Sequence, residues 1–150
     1  MLSELVNLIS SVRSLQSKLV LIVGWPGKTQ LLEALSTELS VQRFSLGLDL
    51  SRCLAHLAAE RRHLVVAEVL RDIGSKVPQE MPLVLDNLEV LFDAQLVSDP
   101  LQILKQLAHS RLVVAAWPGD LNGKLLTYAP LGHPEHREYP VAGFVPFQLK

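Results

Sequence analysis

Short runs of consecutive aliphatic residues, separated by stretches with helical spacing, restrict what this chain can fold into more than any other feature. Lys18 to Gly24 is one such run, rich in β-branched residues and closed by glycine. Pro82 to Asp86 is another, aliphatic until its last residue, and Leu112 to Ala116 is a third, ended by Trp117-Pro118-Gly119. Val41 to Leu48 is a weaker candidate of the same kind. A strand that is apolar at every position is buried on both faces, the mark of a parallel sheet.

Between the runs the spacing turns helical. Leu2, Leu5, Leu8, Ile9, Val12 and Leu15 form one apolar face, so residues 1–17 are expected to be an N-terminal helix. Leu31, Leu32, Leu35 and Leu39 form a second. Ser51 is a candidate cap for a long helical stretch to Ile73, broken near Arg61 and Arg62, with Gly74 as its stop. Asp99 before Pro100 is a helix start, because proline at the first helical position loses no needed donor. Leu101, Leu104, Leu107 and Ala108 supply that helix's inner face. Residues 120–150 are rich in Pro, Gly, Tyr and His and are expected to be turns with short strands. Helices alternating with apolar strands give a three-layer α/β domain: a mostly parallel sheet of four or five strands, covered on both faces.

Size fits a single domain over residues 1–150. A chain of 150 residues buries roughly two-thirds of its unfolded surface, enough for a core without disulfides or metals. The apolar runs are far too short to cross a bilayer, and Glu4 and Asn7 among the first leucines argue against a signal peptide. The lone Cys53 fits a reducing compartment, so a cytoplasmic location is expected. The net charge is -1 with both signs interspersed, so nothing in it points to nucleic acid, although a local DNA-binding patch is compatible with a neutral total.

The sharpest motif joins the first strand to the helix after it. Gly24-Trp25-Pro26-Gly27-Lys28-Thr29 ends in the Gly-Lys-Thr of a Walker A loop, in the strand–turn–helix setting that loop requires. There, backbone N–H groups at the helix start hold phosphate oxygens, the lysine reaches the β- and γ-phosphates of ATP, and the threonine hydroxyl ligates Mg²⁺. Gly24, Gly27, Lys28 and Thr29 are therefore the candidate nucleotide-binding residues, with Lys28 expected to project from the helix start into solvent. The usual spacing is GxxxxGK[ST]. This loop is two residues shorter, a loss of up to about 7 Å of reach. The competing reading is an ordinary helix start with an ordinary lysine.

Leu83-Val84-Leu85-Asp86 has the form of a Walker B strand, whose aspartate would hold Mg²⁺ through a water or directly, opposite Thr29. Asn87 stands where active ATPases of the related class carry a glutamate. It can orient a water but cannot take its proton. Glu89 is the other candidate for water positioning. The competing reading of Asp86 is a strand-ending carboxylate that caps a turn. Trp117 closes the last aliphatic run where a polar residue usually faces the γ-phosphate, and is expected to pack instead. Arg111 and Arg137 are arginine-finger candidates; solvated arginines are the alternative. His133 and His136, with Glu135 between them, have metal-ligand spacing but no partner set, and Cys53 reads as a packed thiol.

These segments resemble the BrxF family, the small P-loop proteins of type 3 BREX (bacteriophage exclusion) defence systems. The resemblance runs through Gly27-Lys28-Thr29, Leu83-Val84-Leu85-Asp86-Asn87, Ala116-Trp117-Pro118-Gly119, Leu126-Thr127-Tyr128-Ala129 and Gly132-His133-Pro134-Glu135. It implies a P-loop NTPase-like domain acting as an accessory protein in antiphage defence, with Lys28 and Thr29 on phosphate and Mg²⁺ and Asp86 as the acidic residue. Its partners would be other BREX-system proteins. No stretch is long enough for a helical lid domain after the last strand, so catalytic arginines would come from a partner. With the wide apolar face of the first helix, this points to a homo-oligomer or obligate complex. Two functional classes follow: a nucleotide-linked assembly or regulatory subunit with little or no hydrolysis, or a degenerate P-loop scaffold that binds protein or DNA without nucleotide.

Overall fold

A computed structural model describes residues 1–24, 27–54, 61–92, 99–129, 132, 134 and 136–149, with backbone alone at 53, 54 and 62–64. The chain runs α1 (Leu2–Val12), β1 (Leu19–Val23), α2 (Lys28–Leu39), β2 (Arg43–Ser45), α3 (Leu46–Leu54) and α4 (Arg62–Ser75). It continues through β3 (Leu83–Asp86), a 3-10 helix at Leu88–Phe92, α5 (Pro100–Ser110) and β4 (Val113–Ala116). The last strands are β5 (Asp120–Asn122), β6 (Leu125–Tyr128), β7 (Arg137–Pro140) and β8 (Val145–Gln148). Five strands form one parallel sheet in the order β2-β3-β4-β1-β8. The Gly24 and Asp86 strands are thus one strand apart.

The side-chain alternation of each strand divides the core between two faces. Val20, Ile22, Val84 and Val114 pack with Leu5 and Ile9 of α1 and Leu32 and Leu35 of α2. Leu19, Leu21, Leu85 and Ala115 face the other way, onto Leu50 of α3, Ile73 of α4 and Leu104 of α5. Helices therefore cover both sides of a sheet whose strands are buried throughout, as their uninterrupted apolar composition requires. Asp99 caps α5 as expected: its Oδ1 accepts the Gln102 N–H at 3.2 Å, with Pro100 next in line.

Three expectations change. Val41 to Leu48 is not one strand, because β2 ends at Ser45 and Leu46 opens α3. A strand would put Phe44, Leu46 and Leu48 on one face, but Phe44 and Leu46 are buried while Leu48 is 61% exposed. Leu46 and Leu50, four apart, instead form the inner stripe of a helix. Ser51 consequently lies inside α3 rather than capping it. Gly74 lies inside α4 rather than stopping it, with Arg111 Nη1 only 3.5 Å from where a Cβ would sit.

The N-terminal helix stops at Val12, and its apolar face is used internally. Leu5, Ile9 and Val12 are buried against the sheet, and Leu2, Val6 and Leu8 pack beside them. That face gives no motive for self-association. The turn-rich C-terminal stretch resolves into a small antiparallel sheet, β5-β6-β7, and the returning edge strand β8. No helix among the described residues is long and apolar enough to cross a membrane.

Candidate functional site

The parallel strands all end on one side of the sheet, and most of the motif residues collect there. Gly24 follows β1 with φ 109°, and a Cβ there would meet the Leu149 carbonyl at 3.1 Å. Gly27, φ 111°, is the N-cap of α2. Both conformations suit glycine and strain other residues. Trp25 and Pro26 lie outside the described residues. Since Gly27 supplies no side-chain cap, the first N–H groups of α2 present a partial positive charge at this end.

Asp86 is the hub. It is 4% exposed at the end of β3, and Oδ2 accepts hydrogen bonds from Thr29 Oγ1 and from Arg43 Nη1, both at 2.8 Å. Oδ1 accepts the Asn87 N–H at 2.8 Å. Thr29 and Asp86, 57 positions apart, meet because β1 and β3 flank β4 and α2 crosses the face that Val84 and Asp86 share. Arg43 belongs to the same face: β2 pairs with β3 so that Arg43 is opposite Val84 and Ser45 opposite Asp86. Its other terminal nitrogen, Nη2, lies 3.5 Å from Glu33 Oε1 on α2.

Lys28 does not project into solvent. It is 7% exposed, and Nζ donates to the Trp117 carbonyl at 2.5 Å, across the end of the sheet. Burial pushes its pKa below the ordinary lysine value, while Glu89, Asp120 and Asp86 pull it partly back up. Glu89, on the 3-10 helix after β3, is exposed and acts on Lys28 through its field. Asn87 is exposed with φ 55°, and its Nδ2 donates to Ser45 Oγ at 2.6 Å. Its amide is thus tied to β2 rather than left to position a water.

The divalent cation implied by the aspartate reading fits this arrangement poorly. Three of the roughly four acceptor positions of the Asp86 carboxylate are taken, and one of them holds a guanidinium. Direct ligation at Oδ2 would require Arg43 to leave, and a cation at the remaining Oδ1 position would sit beside its guanidinium. Among the described residues, no group of three or more His, Cys, Asp or Glu side chains is arranged to hold a metal.

The other candidates fall outside the site. Trp117 is fully buried and packs as expected: Nε1 donates to the Thr127 carbonyl at 2.9 Å, and the ring meets Phe92 and Tyr139 edge to face. Arg111 is no arginine finger, being buried at the opposite end of the sheet against backbone carbonyls. Arg137 lies in β7 of the small sheet. His133 and Glu135 lie outside the described residues, as does the Cys53 side chain. His136 Nδ1 is 2.8 Å from the Ala129 carbonyl, a backbone partner rather than a metal-site one. A cleft of about 550 Å³ opens beyond β4, lined by Gly119, Asp120, Thr127, His136 and Glu138 among others. Its two carboxylates disfavour phosphate.

Arg43 and Asp120 are the members of this end that the motifs did not mark. No protein family, curated protein or solved structure matches the chain.

Proposed function

We propose that this chain is a P-loop-type nucleotide-binding subunit that takes a triphosphate at the start of α2 and serves assembly or regulation rather than turnover. The observation that carries the reading is the 2.8 Å bond between Thr29 and Asp86, with Lys28 buried at the same end of the sheet. Burying a lysine is costly, and a helix start does not require it. A buried ammonium beside the start of a helix, where the backbone dipoles leave a partial positive charge, is suited to receive an anion. A triphosphate arriving there would replace the Trp117 carbonyl as the partner of Nζ.

The chemistry beyond binding is weak. Asn87 cannot serve as a base and is held by Ser45, and Glu89 is exposed on the 3-10 helix after β3. Arginine from a partner subunit would be needed for phosphoryl transfer. The resemblance to the BrxF family is what suggests a role in antiphage defence for such a subunit, working with other BREX-system proteins.

Calorimetric titration and thermal shift with ATP and GTP test the reading. Wild type should bind in the micromolar-to-millimolar range, and Lys28→Ala should lose binding while keeping its melting temperature. In the cell, Lys28→Ala should abolish plaque protection by the whole defence operon. If wild type gives no heat and no shift at millimolar nucleotide, and Lys28→Ala still protects, the domain is a protein- or DNA-binding scaffold. The ion pair between Arg43 and Asp86, which closes the expected metal position, is the observation that favours this second reading.

A further inference from the structure

We infer that Arg43 is the built-in counter-cation of Asp86, standing where a divalent ion would otherwise stand, so that the site takes its triphosphate without Mg²⁺. The inference rests on the nucleotide-binding reading above and names the charge state in which that site works.

The argument begins with the carboxylate. Asp86 is buried, and a buried carboxylate needs a positive partner and hydrogen-bond donors to remain ionised. Arg43 supplies the charge at 2.8 Å; Thr29 and the Asn87 N–H supply the remaining donors. The charge is balanced by protein atoms alone. In a metal-dependent phosphate site, the aspartate has an unpaid negative charge that only the cation neutralises. Here, a doubly charged ion would face a guanidinium and the Lys28 ammonium, with Asp86 already neutralised.

Moving Arg43 aside gives little back. Its alternative partner, Glu33, lies at 3.5 Å with its side chain 57% exposed, while the Asp86 side chain is 5% exposed. An exposed pair is worth much less than a buried one made by the same guanidinium. The sheet register fixes the guanidinium at this carboxylate, because Arg43 and Asp86 lie on one face of adjacent strands. The positive charges of Lys28 and Arg43 then serve the incoming phosphates directly, as Mg²⁺ does elsewhere. Arg43 is a specificity residue by this account, deciding whether free or metal-bound nucleotide is preferred.

The test is a titration of the full chain with ATP in EDTA and again in millimolar Mg²⁺, for wild type, Arg43→Gln and Arg43→Lys. Wild type should bind equally well in both, or better in EDTA. Arg43→Gln should lose about tenfold or more in EDTA and recover in Mg²⁺, because the ion now has an unpaired carboxylate to occupy. Arg43→Lys, which keeps the charge without the fork, should stay metal-independent at lower affinity. Equal weakening of Arg43→Gln in both buffers would show a merely structural role and overturn the inference. Wild-type binding that requires Mg²⁺ would overturn it while leaving the nucleotide reading intact. No binding by any protein in either buffer would overturn both.

Discussion

A buried cation stands at each end of the parallel sheet, and the two are held in opposite ways. At the end where the strands begin, Arg111 donates from Nη1 and Nη2 to the carbonyls of Gly74, Val77, Pro78 and Met81 at 2.7 to 3.4 Å. These carbonyls belong to the last turn of α4 and the loop leading to β3, where the helix carries its negative end. At the end where the strands finish, Lys28 donates to the Trp117 carbonyl and lies in the field of Glu89, Asp120 and Asp86. Backbone carbonyls cannot move away without unfolding a turn. A lysine contact to one of them can be exchanged for a phosphate oxygen. The comparison separates a cation that closes the fold from one suited to a ligand.

The largest expected effect comes from Arg111. Replacing it by Met keeps much of the volume but takes the guanidinium from all four carbonyls, of which Gly74 O keeps the Val77 N–H and Pro78 O the Met81 N–H. Each abandoned buried acceptor costs about 1 kcal/mol or more, so a loss of roughly 2–4 kcal/mol is expected. For a domain of this length that is a fall of about 5–12 °C in melting temperature. The nucleotide-induced thermal shift should survive in the variant below its new transition. A melting temperature within about 2 °C of wild type would collapse the contrast, since Arg111 would then be as dispensable to the fold as Lys28.

Lys28→Met should do the reverse, sparing the fold and removing nucleotide binding. Its pH dependence sharpens the point, and the sign follows from burial. Because the folded lysine has a lowered pKa, the unfolded chain holds more protons between that pKa and the ordinary value of 10.5. Wild-type stability should therefore rise relative to Lys28→Met as pH increases through that window. Over the same window, ATP affinity should fall as the ammonium loses its proton. Denaturant melts of both proteins from neutral pH upward, paired with titrations of wild type, read both trends. A wild-type advantage that shrinks with pH would mean the charged lysine stabilises the fold after all.

The sequence shows the end of the sheet that carries motifs more clearly than the end that carries none. The aliphatic runs marked β1, β3 and β4 because they are apolar without a break, up to Asp86 in β3, yet too short for a buried helix. Asp99-Pro100 marked α5 for the same kind of local reason. Thr29 and Asp86 could be paired across 57 positions because each ends a recognisable strand–turn unit. Arg43 and Arg111 were different. Each is a single basic residue whose meaning lies in long-range register: Arg43 depends on β2 pairing with β3, and Arg111 on four carbonyls at least 30 positions earlier in the chain. The burial of Lys28 was equally hidden, because the Trp117 carbonyl that receives it is 89 positions away. Local chemistry is legible in one chain; the partner of a lone charge is set by topology.

The smallest effect, and the one that probes the ligand end most finely, belongs to Asn87. Its left-handed backbone, φ 55°, suits asparagine better than most residues, and its Nδ2 is bonded to Ser45 Oγ. Replacement by glutamate introduces the residue type that active ATPases use as base, but it also strains the backbone and removes that bond. A loss of about 1 kcal/mol is expected, or some 2–4 °C in melting temperature. No ATP turnover should appear, because the position points its side chain along β2 towards Ser45 rather than towards the groups around Lys28. Phosphate release measured at millimolar ATP, with and without Mg²⁺, gives the answer. Steady turnover by Asn87→Glu would show that the strand end needs only a base to become catalytic, and that binding without hydrolysis depends on one side chain rather than on the geometry around Arg43.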